Sequence, residues 1–165
     1  CTITGSMDDA WAAISPGWKL VDPIQSSRDS VLLEGDIDEG LTVLIALRGP
    51  RPAEMQPDSF SNQRKIFERA MASLSSGSVL SAMSVNGMAV AAATGDDEAL
   101  RICNSVIARG AIAAGVSGSG PAIAIVCYEQ GVEQLADFLT ESDMRVIHSR
   151  FIESEPVGEE ASPWG

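Results

Sequence analysis

The sequence is poor in lysine, in aromatic residues and in histidine. Lys19 and Lys65 are its only lysines, and Asp plus Glu outnumber Lys plus Arg by 23 to 11, for a net charge of −12. A chain this acidic offers no basic surface to a phosphate backbone, so no nucleic-acid partner is expected. Its self-repulsion favours solubility and is best tolerated where salt screens it. Three cysteines, Cys1, Cys103 and Cys127, stand far apart and share the chain with one histidine, His148. They make neither a disulfide scaffold nor a zinc cluster, no metal ligands are assigned, and a reducing, cytoplasmic setting is expected. No apolar run nears the roughly 20 residues of a membrane span, so no membrane partner is expected either.

What remains is the composition of a globular protein, with 165 residues, 45% hydrophobic and 21% charged. That length buries an ordinary core without staples. The chain opens at Cys1 with no signal-peptide pattern, and the expectation is that it is the downstream part of a longer protein.

Ser6-Met7-Asp8-Asp9 reads as a helix start, with Ser6 as cap and Asp9 completing a capping box; the helix runs through Ala13 and stops near Pro16-Gly17. A short strand follows at Trp18–Val21, broken by Asp22-Pro23. Two further strands are expected at Val31–Leu33 and Leu41–Leu47, around the acidic turn Gly35–Gly40. Three helices are then predicted over Asp58–Leu74, Ser78–Ala93 and Asp96–Ala114, with Asp96, Asp97 and Glu98 suited to the positive end of the third. The small residues of the middle helix, among them Ala82, Ser84, Gly87 and Ala89, imply that something packs closely against it. A glycine-rich loop, Gly115–Pro121, leads into a buried-type strand at Ala122–Tyr128, a helix at Gln130–Thr140 and a last strand from Arg145 to His148 or beyond. Glu153 to Gly165 holds four glutamates and almost nothing to pack, and reads as a disordered acidic tail. The order of elements predicts an α+β fold, with helices on one face of a mostly antiparallel sheet.

Two segments carry the chemistry. In Gly115-Val116-Ser117-Gly118-Ser119-Gly120-Pro121 the glycines let the backbone approach a ligand, and successive N–H groups can form an anion-binding nest; a plain helix-to-strand turn is the alternative. No Lys-Ser/Thr follows, so it is not a Walker loop. Ser119, Asp137 or Asp143, and His148 occur in hydrolase order, but Ser117 stands where a nucleophile elbow needs glycine, and His148 reads as a strand residue near a sheet end. In Thr4-Gly5-Ser6-Met7-Asp8-Asp9-Ala10 one acid suffices for capping, which leaves Asp8 free to accept a proton from a substrate hydroxyl.

Together these segments resemble the GHMP kinase superfamily, and within it the archaeal-type shikimate kinases. Gly115 to Ala122, preceded by Arg109-Gly110-Ala111-Ile112-Ala113-Ala114, is similar to the superfamily's third motif. Thr4 to Ala10 is similar to the segment bearing the catalytic acid, and Ala82-Met83-Ser84-Val85-Asn86-Gly87 resembles the archaeal Met-x-x-Asn-Gly helix. The likeness runs from residue 2 to about 152 in one consistent order.

The resemblance implies ATP- and Mg2+-dependent phosphoryl transfer to a hydroxyl of shikimate, in aromatic amino-acid biosynthesis. Asp8 would be the catalytic residue, Ser117, Gly118, Ser119 and Gly120 would form the loop at the phosphate region, and Thr4, Gly5 and Ser6 would lie on the substrate side. It further implies a ferredoxin-like C-terminal domain over 25–152, with 1–24 closing a nucleotide-binding domain and 153–165 as the tail. The superfamily's ATP loop and the acid that helps hold magnesium are expected upstream of residue 1. A missing N-terminal half is expected to pack on 1–24, and the present chain is expected to be inactive alone. Arg48-Gly49-Pro50-Arg51-Pro52 lacks the lysine-containing pattern expected there, and Pro16-Gly17 replaces a common Gly-Gly. The alternatives are another small-molecule kinase of this superfamily, such as a homoserine kinase, and a non-catalytic α+β binding module.

Overall fold

A computed structural model describes residues 8–22, 24–25, 28–50, 57–118 and 120–152. The described residues fall into two units, one reaching to Glu39 and including Phe151 and Ile152, the other Gly40–Arg150.

In the first unit a short helix, α1 (Asp8–Ile14), precedes an antiparallel pair of strands, β1 (Trp18–Val21) and β2 (Val31–Gly35). The Trp11 indole of α1 donates to Ser30 Oγ at 3.2 Å, which satisfies a serine that is fully buried. Trp18 and Gly35 are paired across the strands. A side chain at Gly35 would strike the Trp18 ring, 2.8 Å from Nε1. The predicted Ser6 cap and the acidic tail from Glu153 lie outside the described residues.

The second unit is a four-stranded antiparallel sheet with helices packed on it. Its elements are β3 (Leu41–Leu47), α2 (Pro57–Asn62), α3 (Arg64–Ser75), α4 (Val79–Thr94), α5 (Asp97–Ala108), β4 (Ala113–Val116), β5 (Ile123–Tyr128), α6 (Val132–Glu141) and β6 (Arg145–Arg150). The strand order is β4-β5-β3-β6, and each neighbouring pair is antiparallel. Counted along this unit the order is 2-3-1-4, the ferredoxin-like β-α-β-β-α-β arrangement, with four helices in its first crossover.

Alternation fixes the core. Thr42, Leu44 and Ala46 of β3 are buried while their neighbours are half-buried, the pattern of a mid-sheet strand with one face against helices. Register places Leu44 beside Ile125 and Ala46 beside Ile123. These side chains meet Ile102, Cys103 and Val106 of α5 and Leu135 and Leu139 of α6, all essentially inaccessible. Each fully buried aliphatic side chain contributes about 1.5–3 kcal/mol.

Helix α4 is buried around most of its circumference, with Ala82, Ser84, Gly87, Ala89, Val90, Ala91 and Ala93 all inside. It runs between α3 and β4. The close packing implied by its small residues is therefore real, and the neighbour is a strand. The Ser84 hydroxyl joins the two, accepting from the Ala114 amide and donating to the Leu80 carbonyl, both at 3.2 Å.

Two expectations about these elements are corrected. The helix predicted to reach Ala114 ends at Ala108, because Gly110 takes φ +102 and turns the chain, and Ala113–Val116 is strand β4. The helix predicted over 58–74 is two helices, α2 and α3, joined at Gln63.

Candidate functional site

Because β4 is a strand, the glycine-rich segment is not a helix-to-strand turn. It closes the β4–β5 hairpin, whose last register pair is Val116 and Ile123. The Ser117 amide donates to the Ala122 carbonyl and the Gly120 amide to the Ser117 carbonyl, both at 2.9 Å. Gly118 at φ +57 and Gly120 at φ +82 hold the left-handed backbone that this reversal needs and that a β-carbon disfavours. Gly115, counted in the loop from sequence, belongs instead to β4, where it lies against α4.

The loop's hydrogen-bond accounting narrows what it can offer a ligand. Two of its amides, those of Ser117 and Gly120, are spent internally, and Pro121 has none. The Gly118 amide carries no internal hydrogen bond, and among the described loop residues it is the backbone donor left for an anion. Ser119 lies outside the described residues.

The loop is gripped from the side. Arg48, the residue after β3, donates from Nε to the Pro121 carbonyl at 2.7 Å. Its guanidinium then forks onto Asp96, with Nη1 at 2.8 Å from Oδ1 and Nη2 on Oδ2, and reaches Glu98 at 3.2 Å. Asp96 is the N-cap of α5, its Oδ1 also accepting from the Ala99 amide at 2.9 Å. The Arg48 and Asp96 side chains are each only 7% exposed, so the pair acts with little solvent screening. The hydrogen bonds to Arg48 hold the Asp96 carboxyl below the usual carboxylate range, and those to Asp96 push the Arg48 guanidinium further up. Sequence reasoning placed Asp96 correctly at the helix start but assigned Arg48 no role, since nothing local links positions 48, 96 and 121.

The other sequence candidates are placed as follows. Asp8 is the first residue of α1; its side chain, and Thr4, Gly5 and Ser6, lie outside the described part of the chain. His148 lies in β6, its Nε2 2.8 Å from Thr42 Oγ1 and 3.8 Å from Glu129 Oε2. The Thr42 hydroxyl donates its one proton to the Ser149 carbonyl at 2.9 Å, so the imidazole supplies Nε2–H to Thr42. Among the described residues neither Asp137 nor Asp143 hydrogen-bonds to that ring, which removes the hydrolase arrangement. No group of three or more His, Cys, Asp or Glu side chains among the described residues is arranged to hold a metal ion. The acids nearest the loop, Asp96 and Glu98, are committed to Arg48. The described donor set thus does not fit a magnesium site. No helix of the described residues is long and apolar enough to cross a membrane.

Residues 70–143 match the family model described as GHMP kinases C terminal. Over that stretch the chain is similar to the C-terminal domain of GHMP kinases. Solved structures with this fold include a mevalonate kinase, TM-score 0.56 at 15% identity over 74% of this chain and 46% of that one. Another is the homoserine kinase of Cytophaga hutchinsonii, TM-score 0.51 at 17% identity over 86% and 50%. In sequence the chain is 26% identical over 149 residues to a shikimate kinase of Methanobrevibacter smithii, covering 90% of this chain and 50% of that protein. The chain thus spans about half the length of the curated relative it matches. Here the hairpin loop, the end of β3 and the start of α5 converge on one cluster.

Proposed function

We propose that the protein serves ATP-dependent phosphoryl transfer to a hydroxyl of shikimate, yielding shikimate 3-phosphate. The observation that carries this reading is the β4–β5 hairpin loop of a GHMP kinase C-terminal domain. It presents the unpartnered Gly118 amide on a backbone that glycine alone takes readily. The choice of shikimate is supported by the 26% identity to a shikimate kinase along 90% of the chain. In this reading residues 1–24 close a nucleotide-binding domain and 25–152 form the C-terminal domain.

The residue roles follow the chemistry. ATP, as the co-substrate, would supply the phosphoryl group. Asp8 orients the acceptor hydroxyl and takes its proton, with Thr4, Gly5 and Ser6 on the acceptor side. Ser117, Gly118, Ser119 and Gly120 shape the phosphate region, where a backbone N–H aimed at a developing charge is worth most when it is already in place. Phosphoryl transfer asks the protein mainly for such positioning and charge stabilisation.

The test is a substrate comparison on the intact enzyme that contains this chain, with ATP and shikimate, homoserine or mevalonate as acceptor. The expected result is a kcat/KM for shikimate at least about 100-fold above the others, about 2.7 kcal/mol of discrimination. A preference for homoserine would replace the acceptor. Transfer to no hydroxyl compound would leave an α+β binding module.

A further inference from the structure

A loop built on glycines with φ +57 and φ +82 has more conformational freedom to lose than one built from other residues. If its amide is to meet a phosphate oxygen, something outside the loop must remove that freedom. Within the loop the Ser117 and Gly120 amides each donate one hydrogen bond. From outside, Arg48 reaches it through the Pro121 carbonyl.

An arginine beside a phosphate loop invites the reading that it binds phosphate itself. The hydrogen-bond accounting argues otherwise. Its Nε is spent on Pro121, both Nη atoms are spent on Asp96, and Nη1 also reaches Glu98. Asp96 and Glu98 already face this guanidinium, so its charge is offset within the cluster and is not left for an incoming anion. The side chain is also nearly inaccessible.

We infer that Arg48 is a positioning residue for phosphoryl transfer. Locked by Asp96 at the start of α5, it holds the Pro121 carbonyl and thereby fixes the backbone at Ser117, Gly118 and Gly120, without touching substrate. This rests on the kinase reading above. The geometry needs arginine in particular, because only a fork can serve Asp96 through two nitrogens while a third reaches the carbonyl. The single ammonium of lysine keeps the charge but cannot do both.

The experiment compares Arg48→Lys and Asp96→Ser with the parent chain by amide hydrogen exchange. Serine at 96 can still cap α5, which guards against loss of the fold. The Ser117 and Gly120 amides are expected to exchange at least about 10-fold faster in both variants, while amides at the sheet centre, Leu44 and Ile125, stay within about twofold. In the intact enzyme the same variants are expected to lower kcat by about 10–100-fold with the KM for ATP changed less than about twofold. Unchanged loop exchange, or loop and sheet amides accelerating by one common factor, overturns the clamp. Faster loop exchange with unchanged kcat overturns its part in the reaction. Absence of phosphoryl transfer in the parent enzyme would sink the kinase reading, and the exchange comparison would still decide whether Arg48 fixes the loop.

Discussion

Gly87, in the middle of α4, lies against Gly115 of β4 so closely that neither has room for a methyl group. A Cβ on Gly87 would overlap Gly115 Cα and stand 2.8 Å from the Val116 nitrogen; one on Gly115 would stand 3.0 Å from the Met83 carbonyl oxygen and 3.1 Å from Gly87 Cα. In both cases the obstacle is backbone, which cannot swing aside. The contact sets how near α4 comes to the strand that leads into the hairpin loop.

Gly87→Ala is therefore expected to reverse the usual sign. In an exposed helix interior this change gains roughly 0.5–1 kcal/mol from propensity. Here α4 must move off β4, and a net loss of about 2–3 kcal/mol is expected. Gly131, with nothing within 4 Å of a built Cβ, is the control, and Gly131→Ala should stay within about 1 kcal/mol of the parent. The urea midpoints of the two variants decide it; equal midpoints would show that the helix shifts without cost.

The same contact explains what was and was not legible in the sequence. Leu41–Leu47 and the Asp96 helix start could be read because a nearly continuous apolar run and acidic helix-start residues are local signals. Ala113–Val116 could not, because Ala-Ala-Gly-Val has little β propensity of its own. It is a strand because β5 pairs with it and α4 leaves space only for small side chains. At the site, the glycines announced the loop but not its hold. Positions 48, 96 and 121 meet only through the tertiary fold. Asp8 was singled out as the acid that capping leaves free, and residues 4–6 through resemblance alone.

Acid should weaken the clamp in a predictable direction. The Asp96 carboxyl titrates below its unfolded value of about 3.9, so its contribution is fully present above that pH and is lost as the pH falls through the lower folded value. Asp96→Asn removes the buried partner of Arg48 and leaves it only the exposed Glu98, and about 3–5 kcal/mol should be lost at pH 7. The gap between parent and variant should narrow steadily from pH 4 down to pH 2. Urea unfolding at pH 7, 4, 3 and 2 reads it, and a gap that stays constant would mean that the pair contributes nothing through its charge.

The two cysteines of the core should be silent. Cys103 and Cys127 are 2% and 0% exposed, and burial pushes the Cys103 thiol up to about 11 and raises that of Cys127. Iodoacetamide at pH 8 should leave both unmodified in the native protein and label both in urea, as read by mass spectrometry. A raised folded pKa also means stability that is intact below the unfolded value of about 8.5 and is lost as the pH rises toward 11. The stability difference between the parent and Cys103→Ala should accordingly shrink above pH 9. Labelling in native buffer faster than global unfolding would show that α5 opens locally.

Asp8 is the residue on which the proposed chemistry turns. Asp8→Asn keeps the size and the ability to accept a hydrogen bond, but it can neither take a proton nor present a negative charge to a hydroxyl. In the intact enzyme its turnover should fall by about 10²–10⁴-fold, roughly 3–5 kcal/mol of barrier, with ATP affinity nearly unchanged. Asp9→Asn, one residue further into α1, is the matched comparison; as a first-turn acid it should cost about 1 kcal/mol of stability or less and little activity. Steady-state kinetics with ATP and shikimate distinguishes the two. If the effects are exchanged, the acid that faces the hydroxyl is Asp9 and the carried-over alignment is one residue out. If both variants keep near-parental turnover, the acid at position 8 serves only to start a helix, and the proton acceptor must be sought elsewhere.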